Sequence, residues 1–249
     1  MRDLADPFVH HPELRDRIAD TETSFFRTFN IEALVEKHPY LEAFRPWTHT
    51  DEEREAIRAG VLGAHEGDLW VFAYGSLMWD PALRFAEVRR ANAPGHERRF
   101  ILMDDKGGRG TQEAPGLMAA LDRGDGCEGL AYRIRAEDVD AETEILFRRE
   151  VIGPGYIPEF VPVRIGDTDA TALSFLANHD NAVIRGGITR EEQVRCIATG
   201  AGFLGTSREY LVNIVEHFAL LAIVDDHCAD LLEAVDAYLA AEAEQQVAL

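Results

Sequence analysis

Asp68-Leu69-Trp70-Val71-Phe72-Ala73-Tyr74-Gly75-Ser76-Leu77 is the stretch that decides the fold. Residues 68–74 form a short apolar run rich in β-formers, and Gly75-Ser76 stops it. A run of this kind is a buried strand that delivers a turn. Working outward, further strands are predicted over residues 98–103, 116–121, 128–134, 160–165 and 171–176, with glycine-rich turns between them. Helices are predicted over 136–151, from Thr189 with Thr-Arg-Glu-Glu at its start, over 207–219 and over 225–241. The residues after 241 are too polar to assign. The strands come first and the helices interrupt them without regular βαβ alternation, so the class is α+β with a sheet or barrel core.

Residues 1–66 read as a helical N-terminal extension packed on that core, and residues 67–249 as the main domain. Leu14 and Ile18, then Ile31, Leu34 and Val35, fall at helical spacings between charged residues. Thr50-Asp51-Glu52-Glu53 is a helix start with acids in its first turn. Phe25, Phe26, Phe29, Tyr40, Phe44 and Trp47 indicate that the segment packs rather than trails free. It carries no site motif and is expected to contribute stability more than chemistry.

Composition excludes several classes of function. With 46% hydrophobic residues the chain can build a substantial core, and its formal net charge is −20. So acidic a surface is repelled by phosphate backbones and anionic membranes, so neither nucleic acid nor membrane is an expected partner. The three cysteines, Cys127, Cys196 and Cys228, are widely spaced, and buried small hydrophobes are what they resemble most. The N-terminus lacks a signal-like apolar run, and no stretch approaches the roughly 18 apolar residues of a membrane helix. A cytoplasmic monomer is expected.

The candidate chemistry lies in a few places. Tyr74-Gly75-Ser76-Leu77 follows the buried strand. It is either an ordinary tight turn or an anion cradle, in which backbone N–H groups converge and the seryl hydroxyl adds a donor. At about 100° per residue, Val139, Thr143, Leu146 and Glu150 lie within about 40° of one line on their helix. Glu150 thus sits on the apolar stripe, where desolvation raises a carboxyl pKa toward that of a general base. The alternative is a structural ion pair with a nearby arginine.

Between Arg84 and Arg109 the cations Arg84, Arg89, Arg90, Arg98, Arg99, Lys106 and Arg109 outnumber the local acids. They form either a solvated face or a patch that draws in an anionic substrate. Gly200-Ala201-Gly202-Phe203-Leu204-Gly205 matches GxGxxG, but it follows a helical stretch outside any βαβ unit and reads as a connection between helices. The nine histidines include neither HExxH nor a zinc spacing, and no serine sits in a G-x-S-x-G elbow.

Five islands together resemble the ChaC-type γ-glutamylcyclotransferases. Trp70-Val71-Phe72-Ala73-Tyr74-Gly75-Ser76-Leu77-Met78-Trp79 is similar to the family's W-V-F-G-Y-G-S-L-I-W, and Arg98-Arg99-Phe100 to its R-R-F. Gly129-Leu130-Ala131-Tyr132-Arg133 resembles G-V-A-Y-R, and Leu146-Phe147-Arg148-Arg149-Glu150 with Gly155-Tyr156 resembles L-x-x-R-E…G-Y. Residues 200–205 with Arg208-Glu209-Tyr210-Leu211 resemble the helix junction ending in E-Y-L.

The resemblance implies a small mixed β-barrel flanked by helices. It implies release of 5-oxoproline from glutathione, with no metal and no organic cofactor. It makes Tyr74, Gly75, Ser76 and Leu77 the γ-glutamyl-binding loop, Glu150 the catalytic base and Tyr210 a further pocket residue. Cyclisation of other γ-glutamyl amino acids or amines, and a non-catalytic γ-glutamyl sensor acting on ion transport, remain as alternatives. Ala73 in place of the usual glycine, the extra Gly153-Pro154 and the first 66 residues depart from the family pattern. These departures bear on substrate preference more than on the reaction.

Overall fold

The computed structural model describes residues 6–63 and 65–247, which divide into two compact units. The first comprises residues up to Arg98 together with Leu121–Asn178, and the second Arg99–Ala120 with His179–Leu249.

The first unit is organised by β1 (Leu69–Ala73), whose residues are almost all buried. A strand covered on both faces must be continuously apolar, which is why the run does not alternate. β1 pairs antiparallel with β5 (Cys127–Ile134), in the register Val71↔Tyr132, and parallel with β7 (Thr168–Ala177), in the register Val71↔Leu173. β5 continues antiparallel to β2 (Glu87–Ala93), and β2 to β6 (Tyr156–Ile165). A hairpin with ten residues in each strand joins β6 to β7, paired from Tyr156↔Ala177 to Ile165↔Thr168. Its loop is Gly166-Asp167, and Gly166 takes φ 59°, the left-handed conformation that two-residue hairpin loops demand. β1, β5, β2, β6 and β7 therefore close into a five-stranded barrel. Phe72, Val88, Leu130, Tyr132, Val161, Leu173 and Phe175 fill its buried positions.

The predicted strand over residues 160–165 begins earlier, at Tyr156, and β2 was not expected at all. β3 (His96–Asp104) and β4 (Gly116–Arg123) complete the strand order, and Leu121 of β4 pairs with Leu176 of β7.

Residues 6–63 belong to the same unit as the barrel. Leu14, Ile18, Phe29, Leu34 and Leu41 are buried. The expected helix around Leu14 and Ile18 is only a 3-10 turn, Pro12–Leu14. α1 (Ile31–Lys37) and α2 (Asp51–Leu62) form as expected. Thr50 and Glu53 cap α2 reciprocally: Thr50 Oγ1 accepts from Glu53 N at 3.1 Å, and Glu53 Oε2 from Thr50 N at 2.9 Å. Backbone bonds tie the segment on: Ala19 N to Trp79 O at 2.7 Å, and His49 N to Ile152 O at 2.8 Å. α3 (Val139–Glu150) follows the barrel strand β5 and buries Thr143, Leu146 and Phe147.

The second unit contains α4 (Arg190–Thr199), α5 (Ser207–Leu220) and α6 (Asp226–Val247), the last longer than expected. Its core includes Phe100, Ile101, Leu117, Ile197, Leu211, Ile214 and Leu231. The GxGxxG segment makes a small hairpin between α4 and α5, β8 (Ala201–Gly202) with β9 (Gly205–Thr206). A Cβ on Gly202 would lie 2.1 Å from Gly107 O, so the glycine serves close backbone packing. No helix among the described residues is long and apolar enough to cross a membrane.

Candidate active site

β1 delivers Tyr74, Gly75, Ser76 and Leu77 at its C-terminal end, where residues Ser76–Met78 make one 3-10 turn. The turn is fixed from several sides. Tyr74 is buried and donates its hydroxyl to Phe175 O at 2.8 Å. The buried Arg98 donates Nε to Tyr74 O at 2.6 Å. Tyr132 Oη donates to Met78 O at 3.1 Å, and burial raises its pKa far enough to keep the phenol protonated. Within the turn, the N–H groups of Met78, Trp79 and Asp80 donate to Gly75 O and Ser76 O. Among the described residues, no acceptor takes the N–H groups of Gly75, Ser76 or Leu77. Successive N–H groups left open in this way form a concavity for an anion.

Glu150 ends α3, and its side chain is 13% exposed. Burial pushes its carboxyl pKa up, and the adjacent Arg149 pulls against that shift. Arg149 Nε donates to Glu150 Oε1 at 2.7 Å. The same guanidinium donates Nη2 to Ser76 Oγ at 2.9 Å and Nη1 to the Asp80 carbonyl. The Arg149 side chain is only 2% exposed.

The two candidates for Glu150 are thus not exclusive. It has an arginine partner, yet that arginine spans the gap to the turn after β1. With Ser76 Oγ accepting from Arg149, the seryl proton is left to point elsewhere, as a donor.

Of the residues singled out in the sequence, Ser76, within the turn Tyr74–Leu77, and Glu150 are therefore linked through one buried cation. The sequence assigned Arg149 no role. The signal available was its adjacency to Glu150 within the motif, but helical spacing alone puts it off the apolar stripe. Tyr210 lies on α5 in the second unit. It is buried there, edge-on to Phe100 at 6.4 Å, with the Arg109 guanidinium 5.2 Å from its ring centroid.

The arginines of β2 and its surroundings in the first unit are largely paired. Arg84 meets Glu22 at 2.8 Å, Arg89 meets Glu87 at 3.1 Å, and Arg90 meets Glu128 at 3.0 Å. The additional Gly153-Pro154 is seated on the N-terminal segment: a Cβ on Gly153 would lie 2.6 Å from the Trp47 ring. Asn178 Nδ2 holds Pro154 O at 2.8 Å. Among the described residues, no group of three or more His, Cys, Asp or Glu side chains is arranged to hold a metal ion.

A closed barrel with an open N–H turn beside a buried carboxylate has the fold of the γ-glutamylcyclotransferases. The crystal structure of a yeast γ-glutamylcyclotransferase specific to glutathione matches with a TM-score of 0.63 at 23% identity, over 70% of this chain and 97% of that one. The family model of ChaC-like proteins matches residues 69–238, and the chain belongs to that family. It is 34% identical over 192 residues to the glutathione-specific γ-glutamylcyclotransferase of Escherichia coli K12, covering 76% of this chain and 83% of the relative. It is 31% identical over 185 residues to glutathione-specific γ-glutamylcyclotransferase 1 of Homo sapiens, covering 70% and 83%.

Proposed function

We propose that the protein is a γ-glutamylcyclotransferase that converts glutathione to 5-oxoproline and cysteinylglycine, with Glu150 as general base and acid. The single observation that carries this reading is the Arg149 bridge, which joins a buried carboxylate to the open turn at Ser76. The names of the relatives support glutathione as the substrate.

In glutathione the γ-glutamyl amine must attack its own γ-carbonyl carbon. At neutral pH that amine is an ammonium ion and has no lone pair to offer. Glu150, whose burial raises its basicity against the pull of Arg149, takes its proton. The open N–H groups of Gly75, Ser76 and Leu77, with the Ser76 hydroxyl, hold the α-carboxylate so that the chain curls. Holding amine and carbonyl in near-attack geometry supplies much of the rate. A new C–N bond closes the five-membered lactam and the old amide C–N bond breaks. The protonated Glu150 returns its proton to the departing amine, and the second proton that the attacking nitrogen sheds as the lactam forms follows through the same carboxylate, so that cysteinylglycine leaves as an ammonium. Tyr210 is proposed as a further pocket residue.

Purified protein incubated with a panel of γ-glutamyl compounds tests this. Glutathione should yield 5-oxoproline and cysteinylglycine in equal amounts. Release from other γ-glutamyl amines but not from glutathione would move the substrate, and release from none would remove the activity.

A further inference from the structure

We propose that Phe26, from the N-terminal segment, is a positioning residue for the active site. Its ring caps the Arg149 guanidinium and keeps that group in the placement that reaches both Ser76 and Glu150. The proposal rests on the reading of Glu150 as the base.

The Arg149 guanidinium carbon lies 4.0 Å from the Phe26 ring centroid. A cation over an aromatic face at that distance, with water excluded, is a strong contact of its kind. The edge of the guanidinium is already committed, Nε to Glu150, Nη2 to Ser76 and Nη1 to the Asp80 carbonyl. The phenyl ring covers a face. A long arginine side chain has many rotamers, and edge and face together leave it one.

The ring is itself anchored to the elements that carry the site. Phe25–Arg27 is a 3-10 turn capped by Ser24, whose Oγ accepts from Phe26 N at 3.2 Å. That same hydroxyl donates to Asp80 Oδ1 at 2.6 Å, in the segment following the binding turn. Arg27 donates Nη2 to Glu142 on α3 at 2.9 Å, and Arg148 of α3 donates Nη2 to Arg27 O at 3.0 Å. The turn is therefore tied at both ends to the two elements that Arg149 bridges. The charged and titratable groups facing the guanidinium are Glu150 on its own helix, Asp80 at 4.0 Å and Tyr132 from β5. Residues 24–27 lie outside the family match of 69–238. The segment expected from sequence to add stability thus also reaches the catalytic machinery.

The test compares Phe26→Leu, Phe26→Tyr, Arg149→Gln and Glu150→Gln in the full chain. Initial rates of 5-oxoproline release from glutathione give kcat and KM across the mildly acidic to neutral range, with Tm measured beside them. Phe26→Leu should lower kcat about 5- to 30-fold, the worth of a desolvated cation–π contact, and change KM less. Phe26→Tyr, which keeps the ring face, should recover most of that loss. Arg149→Gln should lower kcat and move the acid limb of the profile to higher pH, because burial then acts on Glu150 unopposed. Equal kcat for the folded Phe26→Leu variant and wild type, or no advantage of Tyr over Leu, would overturn the proposal. Turnover by Glu150→Gln would instead remove the base on which it rests. Should Phe26→Leu not fold, Phe26→Met keeps apolar bulk without a ring face and makes the same comparison.

Discussion

Arg149 and Ser76 meet at 2.9 Å, guanidinium Nη2 to hydroxyl Oγ, and the same guanidinium holds Glu150 at 2.7 Å. A carboxylate at the end of one helix and a hydroxyl in the turn after β1 thereby share one buried cation. The arrangement gives each partner a defined state. Ser76 accepts from the arginine and so donates elsewhere, and at Glu150 the arginine opposes the upward pKa shift that burial causes.

Ser76→Ala removes the donor proposed to meet the substrate and one acceptor for Arg149. The lost donor should weaken glutathione binding by about 1–3 kcal/mol, seen as a rise in KM or in calorimetric Kd. Because Arg149 Nη2 then loses its acceptor inside the protein, Tm should fall as well. Unchanged KM and unchanged Tm would show that the hydroxyl contributes to neither.

The raised pKa of Glu150 makes a signed prediction for stability. Its folded-state pKa lies above the ordinary 4.5, with burial as the larger cause. The folded state therefore binds that proton more tightly than the unfolded chain does. The stabilisation is complete below the unfolded value and is lost as pH rises through the folded value. Glu150→Gln, which stays neutral, should thus gain Tm over wild type on going from acidic to neutral pH. A Tm difference that is constant or shrinks over that range would mean that the carboxylate is not desolvated.

Glu142 tests how the N-terminal segment is attached. Its carboxylate is 2% exposed, accepts from Arg27 Nη2 at 2.9 Å and takes Arg84 N at 2.9 Å. Glu142→Ala leaves the partly buried Arg27 without its carboxylate partner and should cost about 3 kcal/mol in urea unfolding. An unaltered midpoint would show that the pair is solvated in solution.

Most of the barrel could be read in the sequence because its strands carry an apolar signal that depends on nothing else. β1 is the clearest case, a run covered on both faces. β2 was hidden for a physical reason. Its Glu87-Val88-Arg89-Arg90-Ala91-Asn92-Ala93 buries only Val88, Ala91 and Ala93, while Arg90 reaches Glu128 on the neighbouring strand β5. Charge outweighs apolar content there, so the strand reads as a basic cluster. The site was legible in part. Helical periodicity put Glu150 on the inner stripe, and the strand-stop put Ser76 in a turn. What joins them is a side chain folded across space onto a residue far away in the chain, and no local pattern announces it. Phe26 was recognised as an aromatic that packs, but its partner could be known only once the 3-10 turn at Phe25–Arg27 was seen against α3.

The central claim, that Glu150 moves the proton, is tested most directly by 5-oxoproline release from glutathione in Glu150→Gln, measured beside calorimetric glutathione binding. Gln is nearly isosteric and can still accept from Arg149, but it cannot take the ammonium proton. Turnover should fall by about 10²–10⁴-fold, the usual contribution of a general base, while Kd changes little. A folded Glu150→Gln protein that releases 5-oxoproline at close to the wild-type rate would contradict the account and leave Glu150 as half of a structural ion pair.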